Sequence, residues 1–124
     1  MTTTNHETRL VEAIKDGASS GTLTAAVTFL RQLPARAQAS AEFGHAAGDA
    51  FFDWTAGGWE LTIAVDERFE VSYSGTFGHD GRLRGWQKFN GPLHHVLVAA
   101  INMMVDRKWE LGELARESER EDRA

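Results

Sequence analysis

Between Ala50 and Phe89 apolar and polar residues alternate in runs separated by turn-forming residues. In Trp59-Glu-Leu-Thr-Ile-Ala-Val65 the odd positions are Trp59, Leu61, Ile63 and Val65. In Phe69-Glu-Val-Ser-Tyr-Ser-Gly-Thr-Phe77 they are Phe69, Val71, Tyr73 and Phe77. A strand turns successive side chains to opposite faces, so each run has one apolar face and one Glu/Thr/Ser face. Four strands are predicted: Ala50 to Trp54, Trp59 to Val65, Phe69 to Phe77 and Arg82 to Phe89. Thr55 to Gly58, Asp66 to Arg68 and Gly78 to Gly81 supply the turns. Short turns make the strands sequential neighbours in an antiparallel meander.

The pattern changes period on either side of this block. Glu7 to Asp16 reads as a helix with Leu10, Val11 and Ile14 on one stripe and Asn5 as its cap. A second helix carries Leu23, Val27, Leu30 and Leu33, capped by Thr22 or Ser20 and ended by Pro34. Ala35 to Ala47 is Ala-rich and reads as a third helix, with Pro34 at its start. After the meander, Asn90-Gly-Pro92 opens a long helix to about position 110, with Asn90 or Gly91 as cap. Its core stripe is Leu93, Val96, Leu97, Ala100, Ile101 and Met104. From Val96 to Val105 the one polar residue is Asn102, so this helix is apolar on more than one side. The expected architecture is therefore α+β: N-terminal helices, a four-stranded antiparallel β-meander over about 50–89, and a long C-terminal helix over about 92–110. The helices cover one face of the sheet.

Composition narrows this picture a little. A chain of 124 residues is expected to form a single domain over 1–124, with 1–5 and about 115–124 as flexible tails. The absence of cysteine excludes disulfides and thiolate chemistry. No apolar run reaches the roughly 18 residues that span a bilayer, and the N-terminus lacks a signal-peptide pattern. A cytoplasmic location without membrane attachment is expected. A net charge of −5 disfavours direct nucleic-acid binding, which needs cations to displace counterions from phosphate.

Candidate chemistry is sparse. The fourth strand places Arg82, Arg84, Trp86 and Lys88 on one face, opposite Leu83, Gly85, Gln87 and Phe89. Trp and Arg are enriched in binding hot spots, and Thr62, Ser72, Ser74 and Thr76 share the outer face. The alternative is that Trp86 turns into the core through a bulge near Gly85. Glu60 and Glu70 lie on the outer sheet positions and form, with Glu110 to Asp122, the acidic counterpart. The spare apolar side of the last helix offers Val98, Asn102 and Met103 as a candidate homodimer face. Adjacent helical residues point about 100° apart, so His94 and His95 do not form a metal pair, and no metal or cofactor is expected. Trp54 and Trp59 are expected to pack at the edge of the core. There is no nucleophile elbow, Walker loop or dinucleotide fingerprint. No catalytic residue is assigned.

The string Asp49-Ala-Phe-Phe-Asp-Trp54, the two alternating strands and Gly81-Arg-Leu-Arg-Gly85 resemble a diffuse set of small bacterial and phage-borne proteins. The resemblance spans roughly Asp49 to Met104. Small acidic proteins of this style include antitoxins and anti-CRISPR inhibitors, and the resemblance implies action by covering a larger partner. The expected function is a non-enzymatic protein-binding module, an inhibitor or regulator of a larger protein or ribonucleoprotein complex. Two alternatives are a nucleic-acid-binding regulator using Arg82 to Lys88, and a ligand-binding or enzymatic domain using His94, His95 and Tyr73.

Overall fold

The computed structural model describes residues 5–79, 81–89 and 91–123, with side chains described to position 112. The elements are α1 (Asn5–Ile14), α2 (Ser20–Arg31), α3 (Ala35–Ser40), β1 (Glu42–Ala46), β2 (Asp49–Ala56), β3 (Trp59–Val65), β4 (Glu70–Phe77), β5 (Gly81–Lys88) and α4 (His95–Arg123). The strands form one antiparallel sheet in sequence order, β1-β2-β3-β4-β5. The fold is α+β with helices before and after the sheet, but the sheet has five strands where four were expected.

The additional strand comes from the second half of the expected Ala35–Ala47 helix. That helix stops at Ser40, whose hydroxyl donates back to the Arg36 carbonyl at 2.8 Å. Glu42 to Ala46 then pairs with β2, setting Phe43 opposite Phe52. The two rings meet edge to face at 5.4 Å. Ala47 and Gly48 take φ of 53° and 87°, the left-handed pair that a tight two-residue hairpin requires. Helix propensity in Ala35–Ala47 therefore yields to strand pairing and one aromatic contact.

Other boundaries shift by a few residues. Asn5 lies inside α1 and does not cap it. Ser19 caps α2, its hydroxyl accepting from the Thr22 N–H at 3.1 Å. β2 begins at Asp49 and extends to Ala56. Phe69 stands just outside β4 at φ 59°, a strained position that turns its ring onto Phe89, centroids 5.2 Å apart. α4 begins at His95, not Pro92, and passes through Gly112 to Arg123. Its start is tied to the sheet by the buried Gln87, whose side-chain oxygen accepts from the His94 N–H at 2.6 Å. The expected Asn90 cap and the side chains of 113–122 lie outside the described residues.

All four helices contribute to a core on one side of the sheet. Phe29 of α2 packs edge to face on Phe52 at 4.9 Å. Trp54, fully buried, donates its indole N–H to the Ala37 carbonyl at 3.1 Å. Leu97, Ile101 and Met104 carry α4 into the same core. Val96, expected in that stripe, is instead 45% exposed, because the helix turns it away from the sheet. Arg107 clamps α4 to the β2–β3 turn. It donates to the Ala56 and Gly57 carbonyls and lies 4.3 Å over the half-buried Trp59 ring. Among the described residues no helix is long and apolar enough to cross a membrane.

Candidate functional site

Among the described residues the other side of the sheet carries no helix, and the strand register arranges its side chains in rows. One row runs Glu42, Asp53, Thr62, Ser74, Arg84 from β1 to β5. The next runs Gly44, Phe51, Ala64, Ser72, Trp86. A third runs Thr55, Glu60, Thr76, Arg82 over β2 to β5. At the far end Glu70 stands directly opposite Lys88. The centre of the floor, Thr62, Ala64, Ser72 and Ser74, is small and largely hydroxylated, while the aromatic rings and cations stand on β2 and β5 and Glu60 and Glu70 stand toward the ends of β3 and β4. Shallow depressions of about 490 Å³ and 560 Å³ cover this face, the first lined by Glu60, Thr76 and Arg82, the second by Phe51, Ala64 and Trp86.

Arg82, Arg84, Trp86 and Lys88 all project from this face and are exposed. Trp86 is 58% exposed and does not turn into the core. The reason lies beneath it. β5 pairs with β4 without a break, and Gly85 sits opposite Tyr73. A Cβ at Gly85 would overlap the Tyr73 ring and hydroxyl. The glycine thus admits Tyr73 under β5 and keeps the strand regular, which holds Trp86 outward. Within the floor, the Thr62 hydroxyl donates to Asp53 at 2.7 Å, fixing that carboxylate across β2 and β3.

Glu60 and Glu70 are on the outer face but do not converge. Six residues of strand separate their rows, roughly 20 Å at about 3.3 Å per residue. Glu70 belongs beside Lys88, and Glu60 lies two strands from Arg82 in the same row. The candidate dimer face on α4 is separate. Met103 is 47% exposed and Asn102 exposed, whereas Val98 is partly covered. The histidines are dispersed. His94 and His95 are exposed at the start of α4, and His45 lies against the backbone of Gly17. Among the described residues no three His, Asp or Glu side chains gather as a metal site.

One cluster is invisible in the linear chain. Arg9 of α1, Arg36 of α3 and Lys108 of α4 surround a groove of about 500 Å³ beside the 55% exposed Trp109. Each cation is engaged in holding helices together. The Arg36 guanidinium lies 5.3 Å over the Trp109 ring and 3.6 Å from Asp106. Lys108 donates to the Ser40 carbonyl, and Arg9 donates to the Gln38 carbonyl. These residues are too far apart in sequence for spacing to reveal them.

A different acidic group closes the sheet end near α2. The Ser19 hydroxyl donates to Glu67 at 3.1 Å, and Asp66 accepts from the Arg68 and Glu70 N–H groups. Asp49 beside them has its pKa raised, first by burial and then by the Asp66 charge.

Comparison of the chain with known proteins gives no match among family models, curated proteins or solved structures.

Proposed function

We propose that this protein is a small non-enzymatic binding module that inhibits or regulates a larger protein or ribonucleoprotein complex through the outer face of its sheet. The observation that carries this reading is Trp86, a large indole held 58% exposed between Arg84 and Lys88 over a floor of small side chains. An exposed Trp flanked by Arg is the composition of an interface anchor, because the ring supplies large apolar area at little entropic cost. The polar groups of the face lie spread over a plane, which suits contact with another surface. Glu60 and Glu70 give the face acidic positions as well, so complementary charge would set orientation and on-rate.

The test is capture of partners from host lysate by wild-type protein, Trp86→Ala and Arg84→Glu, with Val96→Ala as a control on another surface. A stoichiometric partner that resists salt, survives the control and is lost with Trp86→Ala supports the reading. A partner retained by both face variants would place the binding surface elsewhere.

The same indole favours a second reading, because an aromatic on a sheet face can stack a nucleobase. Titration of the protein with single-stranded RNA at low salt, read by indole fluorescence, separates the two. Quenching lost in Trp86→Phe would support nucleic-acid binding, and unchanged fluorescence would remove it.

A further inference from the structure

The outer residues of β2 and β5 form matching series. Along β2 they are Asp49, Phe51, Asp53 and Thr55. Along β5 they are Lys88, Trp86, Arg84 and Arg82. The register puts Phe51 in the row of Trp86, Asp53 in that of Arg84 and Thr55 in that of Arg82. Asp49, one position before Ala50, falls at the Glu70–Lys88 end. Acid faces base and aromatic faces aromatic, with β3 and β4 between them.

We infer that this face is self-complementary and that a second copy of the chain docks on it, face to face, about a two-fold axis parallel to the strands and between β3 and β4. The inference rests on the reading of the face as a protein-binding surface and names its occupant. Rotation about that axis lays β5 of one copy over β2 of the other, row on row. Arg84 then meets the partner's Asp53, Trp86 meets the partner's Phe51, and Lys88 meets the partner's Asp49. Each contact occurs twice, as an isologous interface demands. In the two central rows small residues oppose small ones, Thr62 on Ser74 and Ala64 on Ser72, so two sheets can approach to the usual separation of about 10 Å, while Glu60 falls on Thr76 and Glu70 on the like-charged Asp66 position at the two ends. The rotation keeps the strands of both sheets aligned, the arrangement of sheet sandwiches.

Two further observations favour this mode. The cations on the edge strand β5 disfavour strand pairing along that edge. The size also fits. The four strands that overlap, β2 to β5, about 4.8 Å apart and about seven residues long, present roughly 450 Å² of plane, so a pair covers about 900 Å². That is the lower end for a specific interface, so the dimer is reversible and leaves the face open to competition by the larger partner.

Sedimentation velocity tests it, over concentrations from about 1 µM to about 1 mM, the range of weak specific association. Wild type is expected to pass from monomer to dimer. Arg84→Asp opposes two carboxylates at each pair, and Asp53→Arg opposes two guanidinium groups. Each alone is expected to weaken self-association at least about tenfold. An equimolar mixture of the two restores both pairs and is expected to form a heterodimer with affinity near wild type. If Asp53→Arg disturbs the sheet by losing its Thr62 hydrogen bond, Lys88→Glu mixed with Asp49→Lys makes the same test.

Wild type that stays monomeric, or a folded variant pair whose mixture stays monomeric, overturns the inference. So does a dimer split by Met103→Glu and untouched by Arg84→Asp, which would move the interface to α4. A monomer whose partner capture still depends on Trp86 overturns self-pairing and leaves the binding-module reading standing. A dimer broken and rescued by these charges, with capture indifferent to Trp86, upholds self-pairing and removes the other reading.

Discussion

Phe52 and Trp86 are both large aromatic side chains of one sheet, yet Phe52 is fully buried and Trp86 is 58% exposed. Phe52 touches Phe29, Phe43 and Trp54 on the helix-covered side. Trp86 stands on the bare side, opposite Ser72. The difference arises from strand parity: even positions of β2 face the helices, and even positions of β5 face away. The lesson is that residue type alone does not assign an aromatic to stability or to recognition. The side of the sheet does, because water is excluded from one face and present at the other.

The largest expected effect tests that division directly. Phe52→Ala removes a ring from a closed cluster and should lower the unfolding free energy by about 3–5 kcal/mol, transfer and cavity terms together. Trp86→Ala removes a larger ring and should change stability by no more than about 0.5 kcal/mol. Urea unfolding of both variants is the measurement. Equal losses would mean that the bare face is covered in solution.

Next in size is the position where the two faces depend on each other. Gly85→Ala places a methyl where the Tyr73 ring lies, and should cost about 1–3 kcal/mol through forced displacement. Tyr73→Leu in the same chain shortens the obstructing side chain, so the two changes should couple in a double-mutant cycle. Additive losses would show that Tyr73 and Gly85 do not press on each other. A displaced Tyr73 should also tilt β5, so the emission maximum of Trp86 should shift in Gly85→Ala.

How far these features are legible in the chain depends on their range. Alternation in Trp59 to Val65 and Glu70 to Phe77 marks both strands and their inner faces, because a half-buried strand needs no distant residue to be recognised. The outward placement of Arg82, Arg84, Trp86 and Lys88 follows from the same period. β1 was hidden because Glu42-Phe-Gly-His-Ala46 has one large apolar residue, and only pairing with β2 makes it a strand. Val96 was misplaced because a helix apolar on several sides does not say which stripe meets the sheet. Rows such as Asp53 to Arg84 cross four strands, so they become visible only once the register is known. The Arg9, Arg36 and Lys108 groove needs three helices to be docked.

The smallest effect compares carboxylates in the two layers. Glu7, in the helix layer, accepts from Arg31 at 2.7 Å, and this hydrogen bond and the Arg31 charge hold its pKa below the ordinary value. A depressed folded pKa means that folding is favoured by the ionised form. Glu7 therefore contributes stability that is present above its unfolded pKa and is lost as pH falls through the lower folded value. Asp49, at the end of the sheet near the start of α2, has its pKa raised by burial and by Asp66. Its sign is opposite: the folded state holds that proton more tightly, so stability declines as pH rises from the unfolded value through the folded one. The two groups tilt the acid limb of the stability curve in contrary directions. Glu7→Gln should flatten the loss of stability on acidification, and Asp49→Asn should steepen it. Thermal melts across the acid range, run dilute enough to keep the chain monomeric, measure both. If Asp49→Asn instead flattens the curve, a cation of the same chain stabilises Asp49 as an anion, and Arg68, which lines the same cleft, is the group to remove next.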